Sequence, residues 1–236
     1  MSDIVEKLRE VLGSSVDSTP EKVSIYFKTG AGDYAEHDRF IGITVPVLRK
    51  IAKIYKDIEL QVIEELLKSK YNEERLLALL ILVQQYQKAS MDRQKELCRF
   101  YLSNLNRINN WNLVDSSAHH ILGHYLWDKD RSLLARLAES DILWERRIAI
   151  VASWYFIRKS DLEWTFKIVG LLLNDSHDLI HKACGWMLRE AGKQDQVKLA
   201  TFLDQQLQAI PRAMLRYAIE KFPEDMRKSY LIKNNI

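Results

Sequence analysis

The chain has 236 residues, with 35 Lys and Arg against 32 Asp and Glu, a formal net charge of +3, and 47% apolar residues. That composition fits an ordinary globular protein with a sizeable core, and so small a net charge gives only weak support for a polyanion partner, the distribution of charge mattering more. Eight glycines and four prolines are too few for the many tight turns of an all-β fold.

Helical periodicity runs through most of the sequence. A short amphipathic helix is predicted from Asp3 to Leu12. A second starts at Pro20, after the capping pair Ser18-Thr19, with Pro just inside the first turn. Residues 28–33 read as a loop, and Pro46 opens the next helix. Further helices are expected near 58–69, 72–88, 91–106, 111–127, 130–138, 142–158, 161–173, 177–191, 194–208 and 212–221. The connections are short, as in stacked helical hairpins. No strand and no flexible linker is evident, so the expectation is one all-α domain over 1–236.

A faint repeat supports a solenoid. Arg75-Leu-Leu-Ala-Leu, Trp111-Asn-Leu-Val-Asp, Arg147-Ile-Ala-Ile-Val and Lys182-Ala-Cys-Gly-Trp begin 36, 36 and 35 residues apart. This is near the period of helical-pair arrays such as HEAT repeats. In such an array the starts of successive second helices would face one shared groove. Cys98 and Cys184 lie in helical patterns without metal-type spacing and read as buried free thiols in a reducing compartment. No stretch reaches the roughly 20 apolar residues that span a bilayer and no basic-then-apolar leader is visible, so no membrane association and a cytoplasmic location are expected.

Few segments suggest chemistry. Gly30-Ala31-Gly32 lacks both the third glycine and the preceding strand of a phosphate-binding loop. His120 and His124 are four apart, with His119 adjacent, but no third ligand stands at a recognisable spacing, so no metal is expected. Trp111 and Asp115 are also four apart and share a helical face. An Asp that deep in an apolar-periodic helix calls for a reason: either a functional carboxylate, or a Trp in the core and an Asp paired with a neighbouring repeat. Arg147 and Trp186 sit one and two repeats on, each open to a packing role as well. Gly185 inside a helix implies close approach of a neighbouring helix or of a ligand. Basic residues thicken in the C-terminal half, among them Arg146, Arg147, Lys182 and Arg189. Acidic residues between them also allow a solvated helix surface.

Taken together, several segments resemble the DNA alkylation repair family, its alkylpurine glycosylase branch in particular. They are Tyr26-Phe27-Lys28-Thr29-Gly30, the run from Arg39 through Gly42 and Pro46 to Arg49, Trp111 to Asp115, Trp144-Glu145-Arg146-Arg147, and Lys182 to Glu190. The resemblance spans nearly the whole chain. It implies a HEAT-like solenoid that holds double-stranded DNA and excises cationic alkylpurines of the 3-methyladenine and 7-methylguanine type, the base staying in the stack. It implies Asp115 as the catalytic carboxylate, Trp111 and Trp186 as groove tryptophans, and Arg147, with Arg146 as the alternative, as the groove arginine. Tyr26, Lys182 and Arg189 match further DNA-side positions. No cofactor and no metal is implied, and a monomer is expected. One departure is Asn110, where the family often has a second Trp. Two other functions remain open: a non-catalytic binder of bent or branched DNA, and a protein-binding helical scaffold.

Overall fold

The computed structural model describes residues 2–234. Among these the chain is all-α and belongs to the helical-repeat class. The one pairing of extended backbone is an isolated bridge between Arg39 and Tyr71. No described helix is long and apolar enough to cross a membrane. Packing divides the chain into two compact units, 1–117 and 118–236.

The first unit holds α1 (Ser2–Ser14), α2 (Pro20–Ser24), α3 (Val45–Ile54), α4 (Leu60–Leu67), α5 (Asn72–Lys88), α6 (Met91–Ser103) and α7 (Trp111–Asp115). Helix α2 starts as the sequence predicts: extended Thr19 accepts a hydrogen bond from Lys22 N at 3.3 Å, and Pro20 occupies the first turn. The centre of the unit is α5, which packs on α3, α4, α6 and α7. It is buried along most of its length, including the polar first turn Asn72, Glu73, Glu74 and Arg75. Four buried polar side chains in a row require partners, and these organise the site described below.

The second unit holds α8 (Ser132–Ala138), α9 (Leu143–Ala152), α10 (Trp154–Ile157), α11 (Glu163–Leu172), α12 (Asp178–Gln194), α13 (Gln196–Gln206), α14 (Arg212–Ala218) and α15 (Glu224–Lys233). Its long helix α12 packs on α9, α11, α13 and α14. Gly185 makes the last of these contacts possible. A Cβ there would lie 2.5 Å from both Met214 O and Tyr217 Cβ, so the close approach implied by the sequence is that of α14. Both cysteines are buried free thiols, and burial holds the Cys184 thiol well above its usual range.

Three boundaries differ from the sequence expectation. The stretch 111–127 is not one helix. It is α7, a turn, and a π-helical segment at His119–Gly123. Ser117 Oγ bonds back to Leu113 O at 2.7 Å and meets Tyr101 Oη at 3.0 Å, which fixes the turn after α7. Gly123 ends the π-segment where an added Cβ would run into Ala152 O and Tyr155 Cβ. The stretch 142–158 likewise divides, at Ser153, into α9 and α10. Finally, α15 follows the last predicted helix. Its sequence does carry start and stop signals: Pro223, then Glu224 and Asp225 in the first turn, and Lys233 in the last.

Candidate functional site

Helix α7 carries both Trp111 and Asp115, and buried polar bonds fix where it begins. Asn110 is fully buried. Its Oδ1 accepts from Trp111 N at 2.7 Å, while its Nδ2 donates to Asp38 Oδ2 at 2.6 Å. The same Asp38 carboxylate, 2% exposed, accepts from Asn72 Nδ2 at 2.8 Å and pairs with the buried guanidinium of Arg75. Asn112 Nδ2 donates to Asn72 Oδ1 at 2.6 Å, a second tie from α7 to α5. Glu73 Oε1 accepts from the backbone N–H groups of Ile41, Gly42 and Ile43 at 3.0, 3.0 and 3.4 Å. The first turn of α5 is thus the bracket that holds α7 on one side and the 41–43 segment on the other. Sequence reading missed Asn110 and Asp38 as site-positioning residues; they lie 72 positions apart.

This bracket frames a cavity of about 740 Å³ whose wall includes Tyr26, Phe27, Trp111 and Asp115. Phe27 stacks on Trp111 with ring centroids 5.1 Å apart and 20° between planes, and Phe40 backs Phe27 at 4.9 Å. The aliphatic part of the wall includes Val23, Ile43, Leu48 and Leu76. Two cations, Lys22 and Arg49, also line it, and both are exposed. Neither was expected as a site residue, although Arg49 closes the 39–49 segment and Lys22 stands four residues before Tyr26. Tyr26 itself is 73% exposed beside Ile25 at 77%. Asp115 is partly buried. An acidic group, aromatic faces and two cations therefore share one concavity. Such a set suits a ligand that carries both a positive and a negative charge.

The loop at 28–33 has its own closure. Gly30 N donates to Asp33 Oδ2 at 3.1 Å and Gly32 N to Glu36 Oε2 at 2.8 Å. These backbone donors serve the protein's own carboxylates, consistent with the absence of a phosphate-loop pattern.

The remaining expected residues all belong to the second unit. Arg147 is 5% exposed and one guanidinium nitrogen donates to Leu179 O at 2.7 Å. Arg146 meets Asp175 at 2.6 Å and donates to Ser140 O and Asp141 O at 2.9 and 3.0 Å. Arg189 pairs with Glu220, and Lys182 with Asp178 at 2.6 Å. These four basic side chains are thus engaged by neighbouring acceptors. Arg75 and Arg147, two of the four repeat-start residues, are buried in packing and not presented on an open surface. Trp186 stands edge-on to Trp154 at 4.9 Å, and Trp154 contacts His119 at 4.5 Å. Among the described residues, no three His, Cys, Asp or Glu side chains converge as a metal-binding group.

A family profile described as DNA alkylation repair enzyme matches residues 10–222. Among solved structures, the chain is similar to a predicted DNA alkylation repair enzyme from Enterococcus faecalis. The two share 17% identity with a TM-score of 0.66, covering 89% of this chain and 98% of the other. At that identity the likeness speaks for the fold. No curated protein matches the chain.

Proposed function

This chain belongs to the DNA alkylation repair enzyme family, and from that premise we propose that it is a DNA glycosylase. Its substrates in this reading are duplexes bearing cationic alkylpurines such as 3-methyladenine and 7-methylguanine. The two units act together as one DNA-binding domain, as a monomer and without a cofactor. The observation that carries the reading is the cavity shared by Asp115, Trp111 and Tyr26.

Alkylation at N3 or N7 makes the purine cationic, so it leaves as a neutral base without prior protonation. The bond from C1′ to the base nitrogen breaks, and its electron pair goes to the base. Positive charge then grows on the deoxyribose. The Asp115 carboxylate stabilises that charge and orients the water whose oxygen joins C1′. The proton lost by this water passes to the carboxylate or to solvent. Trp111 presents an aromatic face to the cationic nucleotide, and Trp186 of the second unit is, in this reading, a further DNA-contacting side chain. Lys22 and Arg49 contact phosphate, joined by Lys182 and Arg189 where DNA displaces their present partners. Arg146 and Arg147, already bonded within the protein, act mainly by fixing their helices.

The deciding experiment measures 7-methylguanine release from methylated duplex. Asp115→Asn is expected to abolish release and to leave duplex affinity within about twofold. Release by neither protein, with intact duplex binding, would make the chain a non-catalytic binder. Joint loss of release and binding in the variant would make Asp115 structural.

A further inference from the structure

Two irregular stretches of the second unit meet at aromatic rings. Residues 142–158 divide at Ser153, whose Oγ donates back to Ile150 O at 2.7 Å, a bond that bends helices. Trp154 follows the break as the first residue of α10. The other irregularity is the π-helical turn His119–Gly123, and turns of this kind are frequent at functional sites. Gly123 lets that turn lie against the junction of α9 and α10. An added Cβ there would lie 2.9 Å from Tyr155 Cβ and would run into Ala152 O. On the same turn His119, 4% exposed, meets the Trp154 ring at 4.5 Å, and His120 meets His119 at 3.8 Å.

Trp154 in turn meets Trp186. The two indoles have centroids 4.9 Å apart and planes at 63°, the edge-to-face arrangement in which the positive rim of one ring meets the negative face of the other. Trp186 is held from a second direction. Its neighbour Gly185 seats α12 on α14, where a Cβ would lie 2.5 Å from Met214 O and Tyr217 Cβ. The seat of α12 on α14 therefore fixes the backbone of Trp186, and Trp154 contacts its ring. Trp186 is nevertheless only half-buried, so its ring is not confined on all sides as a core side chain is. A half-exposed side chain that is ordered only on binding costs affinity, and one ordered beforehand avoids that cost.

We propose that Trp154 is a positioning residue: backed by His119, it holds the Trp186 indole in the orientation that a duplex meets. The proposal rests on the reading above, which puts Trp186 at the DNA. Trp154 itself touches no DNA and takes no part in breaking the glycosidic bond.

The test uses the whole chain with an unmodified duplex and a duplex containing 7-methylguanine. Two indoles this close couple electronically and give a paired positive and negative band in far-ultraviolet circular dichroism. Trp154→Phe and Trp186→Phe should each abolish that couplet, whereas Trp164→Phe, on α11, should keep it. Trp186→Ala is expected to weaken duplex affinity about three- to tenfold, the scale of one aromatic contact. Trp154→Ala should weaken it by a similar factor although it removes no DNA contact. The double variant should bind no more weakly than Trp186→Ala alone, because residues that act through one another do not add. Trp154→Phe keeps a ring for the edge-to-face contact and should bind within about twofold of the wild type while lacking the couplet. Thermal denaturation checks that each variant folds; if Trp154→Ala does not, Trp154→Leu, which fills space without an aromatic face, takes its place.

Additive losses in the double variant would overturn the positioning role and leave the glycosylase reading standing. Unchanged duplex affinity in Trp186→Ala, or a couplet that survives in both Trp154→Phe and Trp186→Phe, would do the same. Coupled losses of affinity, with no release of 7-methylguanine by the wild type, would sustain the positioning role and overturn the glycosylase reading.

Discussion

Asn110 fixes the start of α7, the helix that carries Trp111 and the proposed catalytic Asp115. The side chain is fully buried and uses its two ends for two tasks, one on the first N–H of α7 and one on Asp38. Asn110→Ala removes the cap and withdraws one donor from a buried carboxylate. The expected cost is about 1–3 kcal/mol in thermal denaturation, together with slower base release at little changed duplex affinity. Unchanged stability would mean that the other partners of Asp38, namely Arg75, Asn72 and His37, satisfy it without Asn110. That Trp111 and Asp115 lie together on α7 was legible because they are four residues apart, a spacing that helical geometry makes meaningful. Asn110 was not, because its partner is 72 residues away and nothing local distinguishes it from an exposed cap. As a departure from the family's second Trp, it is spent on packing, so its presence does not argue for a branch without catalysis.

At the scale of elements, boundaries follow local capping where the chain decides them and tertiary packing where it does not. Helix α5 spans the predicted 72–88, since its apolar run is long and uninterrupted. The region 111–127 looked like one helix because its apolar spacing continues through residues that pack in separate turns. Serine back-bonding at Ser117 and the tight seat of Gly123 are invisible to periodicity. Gly185 is the reverse case: a glycine within a helical pattern flagged a close approach, and α14 is what approaches. Gly185→Ala is therefore expected to cost about 1–3 kcal/mol despite alanine's better helix propensity. The check is thermal denaturation beside Gly170→Ala, where a Cβ meets nothing within 4 Å. Equal behaviour of the two variants would show that α12 and α14 can separate without loss.

The junction before α3 carries a pH dependence of its own. Asp17 accepts from Thr44 N at 2.8 Å and from Thr44 Oγ at 2.6 Å. These bonds, the side-chain one foremost, hold its carboxyl below the usual value of 3.8. A depressed folded-state value means that the group's contribution is complete above about pH 4 and is lost as pH falls through the folded value. Asp17→Asn should consequently flatten the stability profile in that acidic window and leave its shape at neutral pH unchanged. A wild-type profile identical to that of the variant below pH 4 would show that the Thr44 bonds contribute nothing to folding.

For the whole molecule, the near balance of 35 basic and 32 acidic residues means that DNA affinity depends on which cations are still available. Counting basic residues in the C-terminal half overstates that supply. Arg146 is neutralised by Asp175 in a bond of 2.6 Å, and Arg189 by Glu220. Arg49, by contrast, is exposed at the cavity of the first unit. Each phosphate neutralised by a free cation releases condensed counterions and adds about 0.9 to the slope of log affinity against log salt. A guanidinium that exchanges one internal carboxylate for a phosphate gains far less. Arg49→Ala should thus reduce the slope by about 0.9 and leave the melting temperature nearly constant. Arg146→Ala should leave the slope nearly constant and lower the melting temperature by several degrees, because it strands the nearly buried Asp175. Equal slope changes in the two variants would mean that the Arg146–Asp175 pair opens on binding, and that internal pairing does not determine which cations reach the DNA.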